Sequence, residues 1–474
     1  MKKAKNKIYS LSADQALSLL RKKGASVGIV GCGYIGSCIA AILSDQGIRT
    51  VGIDVNKRLV EDLNKGLTSL HEPNLKELLS KSVRSGKLQG SLDFRALQDV
   101  DIILITVGTP LSGKGSPDMS HIVAASKAVA KNLKKGHLVV LKSTLPPGST
   151  EGIVKNTLEA SGLKAGRDFG LVFSPERLSE GTAIRELLSL PMIVGGSDKK
   201  SAELTAKFWE LTLKVKTVIV SSAKAAEMSK LADNLWIDLN IALGNEIALL
   251  CDKLGIDAME VIRAANTLPK SGSTALPGVA HNVNILTPSM GVGGYCLTKD
   301  PWFVHSIGKD HGLDLKTPVA SRTVNDLMPA YTFDLIKRTL LAHGKKAQNS
   351  KVAVLGLSFK SNTGDCRFTP TKYTIELLGK NKYKVAIYDP LVSKEDAKTV
   401  TSIPMASSLE EAVRGADCIA LFTGHRQFKE FPLKQLKKLA TKKCVLIDGR
   451  NMFDLDEIQE IKRLGFTYQG IGRA

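Results

Sequence analysis

The chain has 474 residues, 43% of them hydrophobic, which is enough to bury two or three cores and too many for one ordinary domain. No apolar run reaches the roughly 18 residues that span a bilayer, and the basic start, MKKAKNKIYSLSADQ, has no apolar stretch behind it. No membrane insertion is expected, and the expected compartment is the cytoplasm. The formal net charge of +20 suits a well-solvated basic surface or attraction of phosphorylated substrates. The lysines are spread along the chain and no run matches a nucleic-acid module, so no specific nucleic-acid partner is expected. The seven cysteines, at 32, 38, 251, 296, 366, 418 and 444, include no CxxC pair, and the eight histidines show no HExxH. That argues against a disulfide framework and against any metal site.

In chain order, residues 10–23 predict a short amphipathic helix, with Ser12 and Gln15 spaced as a capping box and Leu17, Leu19 and Leu20 supplying apolar surface. The segment SVGIVGCGYIGSCIAAILSDQGIRTVGID then reads as a buried strand, a glycine turn, a helix and a second strand ending in an acid. Gly31, Gly33 and Gly36 form GxGxxG in that context, which sets backbone N–H groups and a helix N-terminus against a pyrophosphate. Asp54, 18 residues after Gly36, is placed to accept hydrogen bonds from an adenosine ribose, and its charge favours NAD over NADP. Tyr34 and Ile35 lie inside the fingerprint and Asn56 and Lys57 follow the acid, so Tyr34, Ile35 and Lys57 join the expected cofactor positions. A glycine turn in some other α/β protein is the alternative, and the flanking strands and the spacing of the acid count against it.

Strand and helix continue to alternate. DIILITVGTP (101–110), HLVVLKSTLPPG (137–148) and FGLVFSPERLSEG (169–181) each read as a buried strand running into a polar loop. Ligands collect at the carboxyl ends of parallel strands, where Thr109, Ser143, Thr144, Glu176 and Glu180 all lie. Thr109 and Thr144 are therefore also expected at the cofactor. From residue 223 to 255 the pattern becomes one long, apolar helical run, expected to pack on several sides, link domains and form a subunit interface. Lys230 and Asn234 share a face of it, the alternative being a solvent-facing pair. A second helical stretch follows Pro318.

At 351 the pattern restarts with KVAVLGLSFKSNTGDCR, followed by KVAIYDP (384–390), DCIALFTGH (417–425) and KCVLIDGRNMF (443–453), without a GxGxxG. The expected fold is α/β, with two doubly wound, Rossmann-like domains joined by a helical central domain. The expected bounds are 1–220 for NAD binding, 221–345 for the centre and 346–474 for the second Rossmann-like domain.

Between the two α/β domains lies MGVGGYCLTKDPW, residues 290–302. Gly291, Gly293 and Gly294 precede Cys296, so the thiol is expected on an exposed turn. Lys299 stands close enough in sequence to favour the thiolate. A small buried cysteine on a glycine-rich loop is the other reading.

The ordered motifs resemble those of the nucleotide-sugar 6-dehydrogenases, the UDP-glucose and UDP-N-acetylhexosamine enzymes, nearly end to end. They are VGIVGCGYIG, GTP with DMS (108–110 and 118–120), KSTLPPG, SPERLSEG, AEMSKLADN, GVGGYCLTKD, LGLSFKSNTGDCR and the closing GFTYQGIGR. The resemblance implies oxidation of a primary alcohol on a UDP-sugar to a carboxylate with two NAD reduced in succession. Cys296 would capture the aldehyde as a thiohemiacetal and carry a thioester that water hydrolyses. Lys230 and Asn234 would stabilise the oxyanion, Thr144 would help hold the water, and Asp300 would move a proton or position water. Glu180 matches a glutamate implicated as a base, and Glu176 the glutamate before it. Lys360 matches a lysine near the uridine diphosphate. Arg177 and Leu178 of SPERLSEG, Gly293 of GVGGYC and Arg367 of TGDCR complete the expected substrate positions with Glu176, Lys230 and Asn234. The division of proton transfers among Lys230, Asp300 and Glu180 stays open.

On the sugar, SPER in place of NPEF, the following IVGG and DLNIALGNE resemble the N-acetylhexosamine branch. Glu180, Lys142 and CLTKD resemble the UDP-glucose branch, and Ile237 and PSMG depart from the usual N-acetylhexosamine arginine and PGPG. The expectation is a UDP-N-acetylhexosamine, the mannosamine form ahead of the glucosamine form, acted on by a homodimer or larger homo-oligomer. A UDP-glucose 6-dehydrogenase and a catalytically silent nucleotide-sugar-binding protein are the alternatives. A single-step hydroxyacid dehydrogenase would need neither Cys296 nor the second α/β domain.

Overall fold

The computed structural model describes residues 7–112, 116–268 and 284–473. Contacts gather into two compact units, Met1–Asp233 and Asn234–Ala474.

The first unit is built on a sheet in the order β3-β2-β1-β4-β5-β6-β7-β8. Its strands are β1 (Val27–Val30), β2 (Thr50–Ile53), β3 (Leu88–Ser91), β4 (Ile102–Ile105), β5 (Leu138–Leu141), β6 (Gly170–Phe173), β7 (Met192–Gly196) and β8 (Thr217–Ile219). Strands β1, β4, β5 and β6 are four-residue runs buried at every position, as expected of a parallel sheet covered on both faces. Alternate residues feed two cores: Ile29, Ile102 and Leu104 pack on one side, and Val30, Ile103 and Ile105 on the other. The order reverses between β1 and β4, which opens a crevice at their carboxyl ends. Only the β6–β7 pairing is antiparallel among the described strands. The helix Ala13–Arg21 carries the expected capping box, Ser12 with Gln15, and buries Ala16 and Leu20.

The second unit holds a parallel sheet in the order β10-β9-β11-β12-β13. The strands are β9 (Lys351–Leu355), β10 (Lys384–Tyr388), β11 (Cys418–Leu421), β12 (Val445–Asp448) and β13 (Thr467–Gly470). Val352 and Val354 enter one core, and Ala353 and Leu355 another. Strand β13, TYQG, is too polar to stand out as a buried strand in the sequence. The long helix Ala223–Leu254 starts in the first unit and continues into the second. The helix Lys316–Ala342 begins before Pro318 and runs through Pro329. Pro318 lies in the first turn, where a missing N–H costs nothing.

Candidate functional site

In the first unit the glycine turn joins β1 to the helix Tyr34–Asp45, and each glycine has its own steric reason. Gly31 has φ +95°, and Gly36 lies so close to the turn that an added Cβ would sit 2.0 Å from the Gly31 carbonyl oxygen. Gly33 is exposed, and a Cβ there would meet nothing within 4 Å, so the space in front of the turn is open. Gly33 is also the N-cap and brings no capping side chain, which leaves the first-turn N–H groups for a ligand. Asp54 Oδ2 accepts the Cys32 N–H at 2.7 Å and Oδ1 the Asn56 N–H at 2.9 Å, which fixes the carboxylate at the end of β2. An open cradle for a pyrophosphate beside an oriented carboxylate for a ribose fits a dinucleotide. Ile35 is half-buried in the first turn, and Lys57 is exposed beside Glu61 at 3.9 Å.

The loops after β4, β5 and β6 carry the other expected residues of this unit, and of these Thr109 and Thr144 are in direct contact. Thr109 Oγ1 donates to the Thr144 carbonyl at 2.7 Å. Glu176 folds back on its own loop, Oε1 accepting the Leu178 N–H, while Oε2 is buried with no hydrogen-bond partner among the described residues. Burial pushes the Glu176 carboxyl above the usual carboxylate range, against the pull of Lys142 and Lys230. Lys142 is itself buried, its Nζ 3.2 Å from the Ser174 carbonyl oxygen and 5.0 Å from the Trp209 ring centre, and burial lowers its pKa. A carboxyl biased toward protonation between two lysines is suited to proton exchange. Arg177 donates to the Pro191 carbonyl and pairs with Asp233 at 3.6 Å. Glu180 is half-buried next to Gly181, whose N–H donates to the Tyr34 hydroxyl at 2.8 Å.

In the second unit Cys296 is exposed, whereas the other six cysteines are buried. Its carbonyl accepts the N–H groups of Lys299 (3.1 Å) and Asp300 (2.9 Å), so the thiol sits on the turn that leads into the helix Asp300–Asp310. Asp300 accepts from Asn234 Nδ2 and from Lys299 Nζ, each at 2.5 Å. The ammonium expected beside the thiol is thus paired with Asp300, and it lies 4.3 Å from the Phe303 ring centre. Lys230 and Asn234, one turn apart on the long helix, are both buried instead of facing solvent.

The thiol loop rests on the loop after β9. A Cβ on Gly293 would come within 2.5 Å of Phe359 Cβ, and Gly294, at φ +87°, donates its N–H to the Arg367 carbonyl at 3.1 Å. The Arg367 guanidinium binds Asp365 and lies 5.9 Å from the Tyr295 ring centre. Lys360 is half-buried in that loop, its carbonyl accepting from Ser358 and Thr363.

Three side chains escaped the sequence reading. Arg450 donates to the carbonyls of Phe422 (2.7 Å), Gly291 (3.3 Å) and Phe359 (3.2 Å), joining the thiol loop to the Lys360 loop. It stands at the carboxyl end of β12, so the rule that selected Thr109 would have found it. Glu227, one turn before Lys230, accepts the N–H groups of Gly148 and Thr150 and so anchors the KSTLPPG loop. Glu72 lies in a loop whose spacing gives no signal.

The chain is similar to known proteins over nearly its whole length. Three profiles of the UDP-glucose/GDP-mannose dehydrogenase family match: the NAD binding domain over residues 25–212, the central domain over 224–327 and the UDP binding domain over 353–455. A UDP-N-acetyl-D-mannosamine dehydrogenase from Pyrococcus horikoshii is 34% identical, over 94% of this chain and 99% of that protein. A solved structure of a UDP-D-ManNAc dehydrogenase from Pyrococcus horikoshii superposes with a TM-score of 0.82 at 34% identity, covering 94% of this chain and 99% of the other. The UDP-glucose dehydrogenase of Pyrobaculum islandicum gives 0.81 at 28% identity, covering 95% and 98%. The chain belongs to the UDP-glucose/GDP-mannose dehydrogenase family and is an NAD-dependent nucleotide-sugar dehydrogenase.

Proposed function

We propose that this enzyme oxidises the 6-hydroxyl of a UDP-N-acetylhexosamine, UDP-N-acetylmannosamine ahead of UDP-N-acetylglucosamine, to the uronate. The overall change is CH2OH plus water to carboxylate, with two hydrides, carrying four electrons, and three protons leaving. Two NAD, bound in succession, would each supply the acceptor for one hydride. Cys296 Sγ forms a bond to C6 of the aldehyde left by the first oxidation, giving a thiohemiacetal. Loss of the second hydride makes it a thioester, and water cleaves the C–S bond and returns the thiol. Lys230 and Asn234 donate to the oxygen on C6 as charge develops there. Glu180, Glu176, Asp300 and Thr144 handle the protons and the water. Lys360, Arg367, Gly293, Arg177 and Leu178 contact the sugar nucleotide, while Gly31, Gly33, Tyr34, Ile35, Gly36, Asp54, Lys57 and Thr109 hold the cofactor. This division of labour assigns residues 1–220 to NAD, 221–345 to the thiol and the subunit contact, and 346–474 to the UDP moiety.

The observation that carries the reading is the exposed Cys296 on a turn packed against the Lys360 loop, with Asn234 bound to Asp300 beside it. The mannosamine preference is supported by the names of the relatives, several of them UDP-N-acetyl-D-mannosamine dehydrogenases. A homodimer is part of the proposal: Trp236, Leu239 and Leu243, at helical spacing, are 51%, 39% and 45% exposed on the long helix. Light scattering showing a stable monomer would refute it. The cytoplasm, where NAD and nucleotide sugars meet, is the compartment this reading implies.

The deciding experiment follows NADH with UDP-ManNAc, UDP-GlcNAc, UDP-GalNAc and UDP-glucose in parallel and titrates product against cofactor. Two NADH per UDP-ManNAc consumed is the expected result. One NADH per sugar would reduce the enzyme to an alcohol dehydrogenase, turnover of UDP-glucose alone would reassign the substrate, and no turnover would favour a silent binding protein.

A further inference from the structure

The long helix carries a row of side chains that bind the backbone of the thiol loop. Asn240 Oδ1 accepts the Leu286 N–H and Asn245 Oδ1 the Ser289 N–H, both at 2.8 Å. At Gly244 the loop comes so near that an added Cβ would lie 2.3 Å from the Leu286 carbonyl oxygen.

The contact made at the residue next to Cys296 comes from an ion pair. Arg322, from the helix Lys316–Ala342, donates from Nη1 to Asp238 Oδ1 at 2.7 Å and to the carbonyl of Leu297, the residue after Cys296, at 3.3 Å. Asp238 and Arg322 are 0% and 2% exposed, and Asn325 Nδ2 donates to Asp238 Oδ1 at 2.9 Å. The Leu297 carbonyl needs this donor for a chemical reason. The residue four positions on is Pro301, which has no N–H, and the Asp300 N–H is directed at the Cys296 carbonyl instead. Arg322 therefore supplies the hydrogen bond that the chain itself cannot.

A buried ion pair is weak support for stability, because apolar residues of similar volume often do as well. Its use here is directional. We propose that Asp238 and Arg322 are positioning residues that fix the Cys296 thiol by holding the Leu297 carbonyl, with Asp238 orienting the guanidinium. The kinetic part of the proposal rests on Cys296 being the nucleophile, and the alkylation part does not.

The test compares the wild-type enzyme with Arg322→Lys, Arg322→Met and the double variant Asp238→Leu/Arg322→Met, which leaves no unpaired buried charge and keeps the proposal testable if Arg322→Met does not fold. The rate of Cys296 alkylation by iodoacetamide is measured on the native enzyme across pH, the site being assigned by peptide mass spectrometry. Thermal midpoint, kcat and KM for NAD and sugar nucleotide are measured alongside. The expected result is a changed alkylation profile in the folded double variant and a fall of about tenfold or more in kcat with KM for NAD unchanged. Arg322→Lys, which keeps a cation but one point of donation, should fall between. A changed alkylation profile with kcat untouched would support the positioning and overturn the nucleophile. An unchanged alkylation profile, whatever the thermal midpoint does, overturns the positioning.

Discussion

Tyr34 and Glu72 join the glycine turn to the loop after β6. The phenol donates to Glu72 Oε2 and accepts the Gly181 N–H at 2.8 Å, while Glu72 Oε1 accepts the Ile184 N–H at 3.1 Å. Burial, and next the Glu72 carboxylate, raise the Tyr34 pKa and keep the phenol a donor. Because that loop carries Glu176 and Glu180, Tyr34→Phe should raise KM for the sugar nucleotide by about threefold to tenfold, the equivalent of one or two hydrogen bonds. Steady-state kinetics check this, and an unchanged KM would mean that the loop is held by its own packing.

Two glycines of one motif should fail in opposite ways. A methyl on Gly33 meets no protein atom within 4 Å, so Gly33→Ala should melt with the wild type and yet lose at least about tenfold in NAD affinity, the methyl occupying the pyrophosphate's approach. Gly36→Ala puts the same methyl 2.0 Å from the Gly31 carbonyl oxygen and should cost on the order of 3 kcal/mol of stability. Thermal melts paired with NAD titrations separate the two. A Gly33→Ala protein that melts early but binds NAD normally would make the turn structural.

These features were legible because they are local. A glycine fingerprint between two apolar strands, or three glycines before a cysteine, is written in consecutive residues, and the turn geometry follows from the residue types. Lys142 shows the limit: the sequence marks it only as a residue resembling the UDP-glucose branch, yet it is 1% exposed against Trp209, a residue from a distant helix. Glu72, Asp238 and Arg322 likewise acquire their roles from partners far along the chain, and no spacing announces them. Lys299 was legible as a nearby cation but not as the partner of Asp300, since both lie at similar sequence distance from the thiol. The antiparallel β6–β7 pairing was also hidden, because a strand's direction in the sheet depends on the path of the connection that leads into it.

Cys296→Ala should abolish uronate formation while leaving NAD binding intact, because the cofactor residues form their hydrogen bonds within the first unit. The thiol is exposed, so the thermal midpoint should move by no more than the equivalent of about 0.5 kcal/mol. Product analysis by mass spectrometry and an NAD titration check both halves. Equal loss of product and cofactor binding would make the residue structural.

His137 should make the first unit acid-labile. Its Nδ1 accepts the Lys134 N–H at 2.9 Å, its side chain is fully buried, and burial, followed by the charge of Lys7, lowers its pKa to about 3. The unfolded chain takes up this proton near the ordinary histidine value of about 6.5, whereas the native state refuses it until far lower pH. The stability it contributes is therefore complete above about pH 6.5 and is lost progressively as pH falls toward the native value, by about 2 kcal/mol at pH 5. His137→Asn, whose Oδ1 can still accept the Lys134 N–H, does not titrate in this range. Urea unfolding between pH 4.5 and 7.5 should show a shallower decline for His137→Asn than for the wild type. Parallel curves would mean that His137 is protonated in the native state as readily as in the unfolded chain.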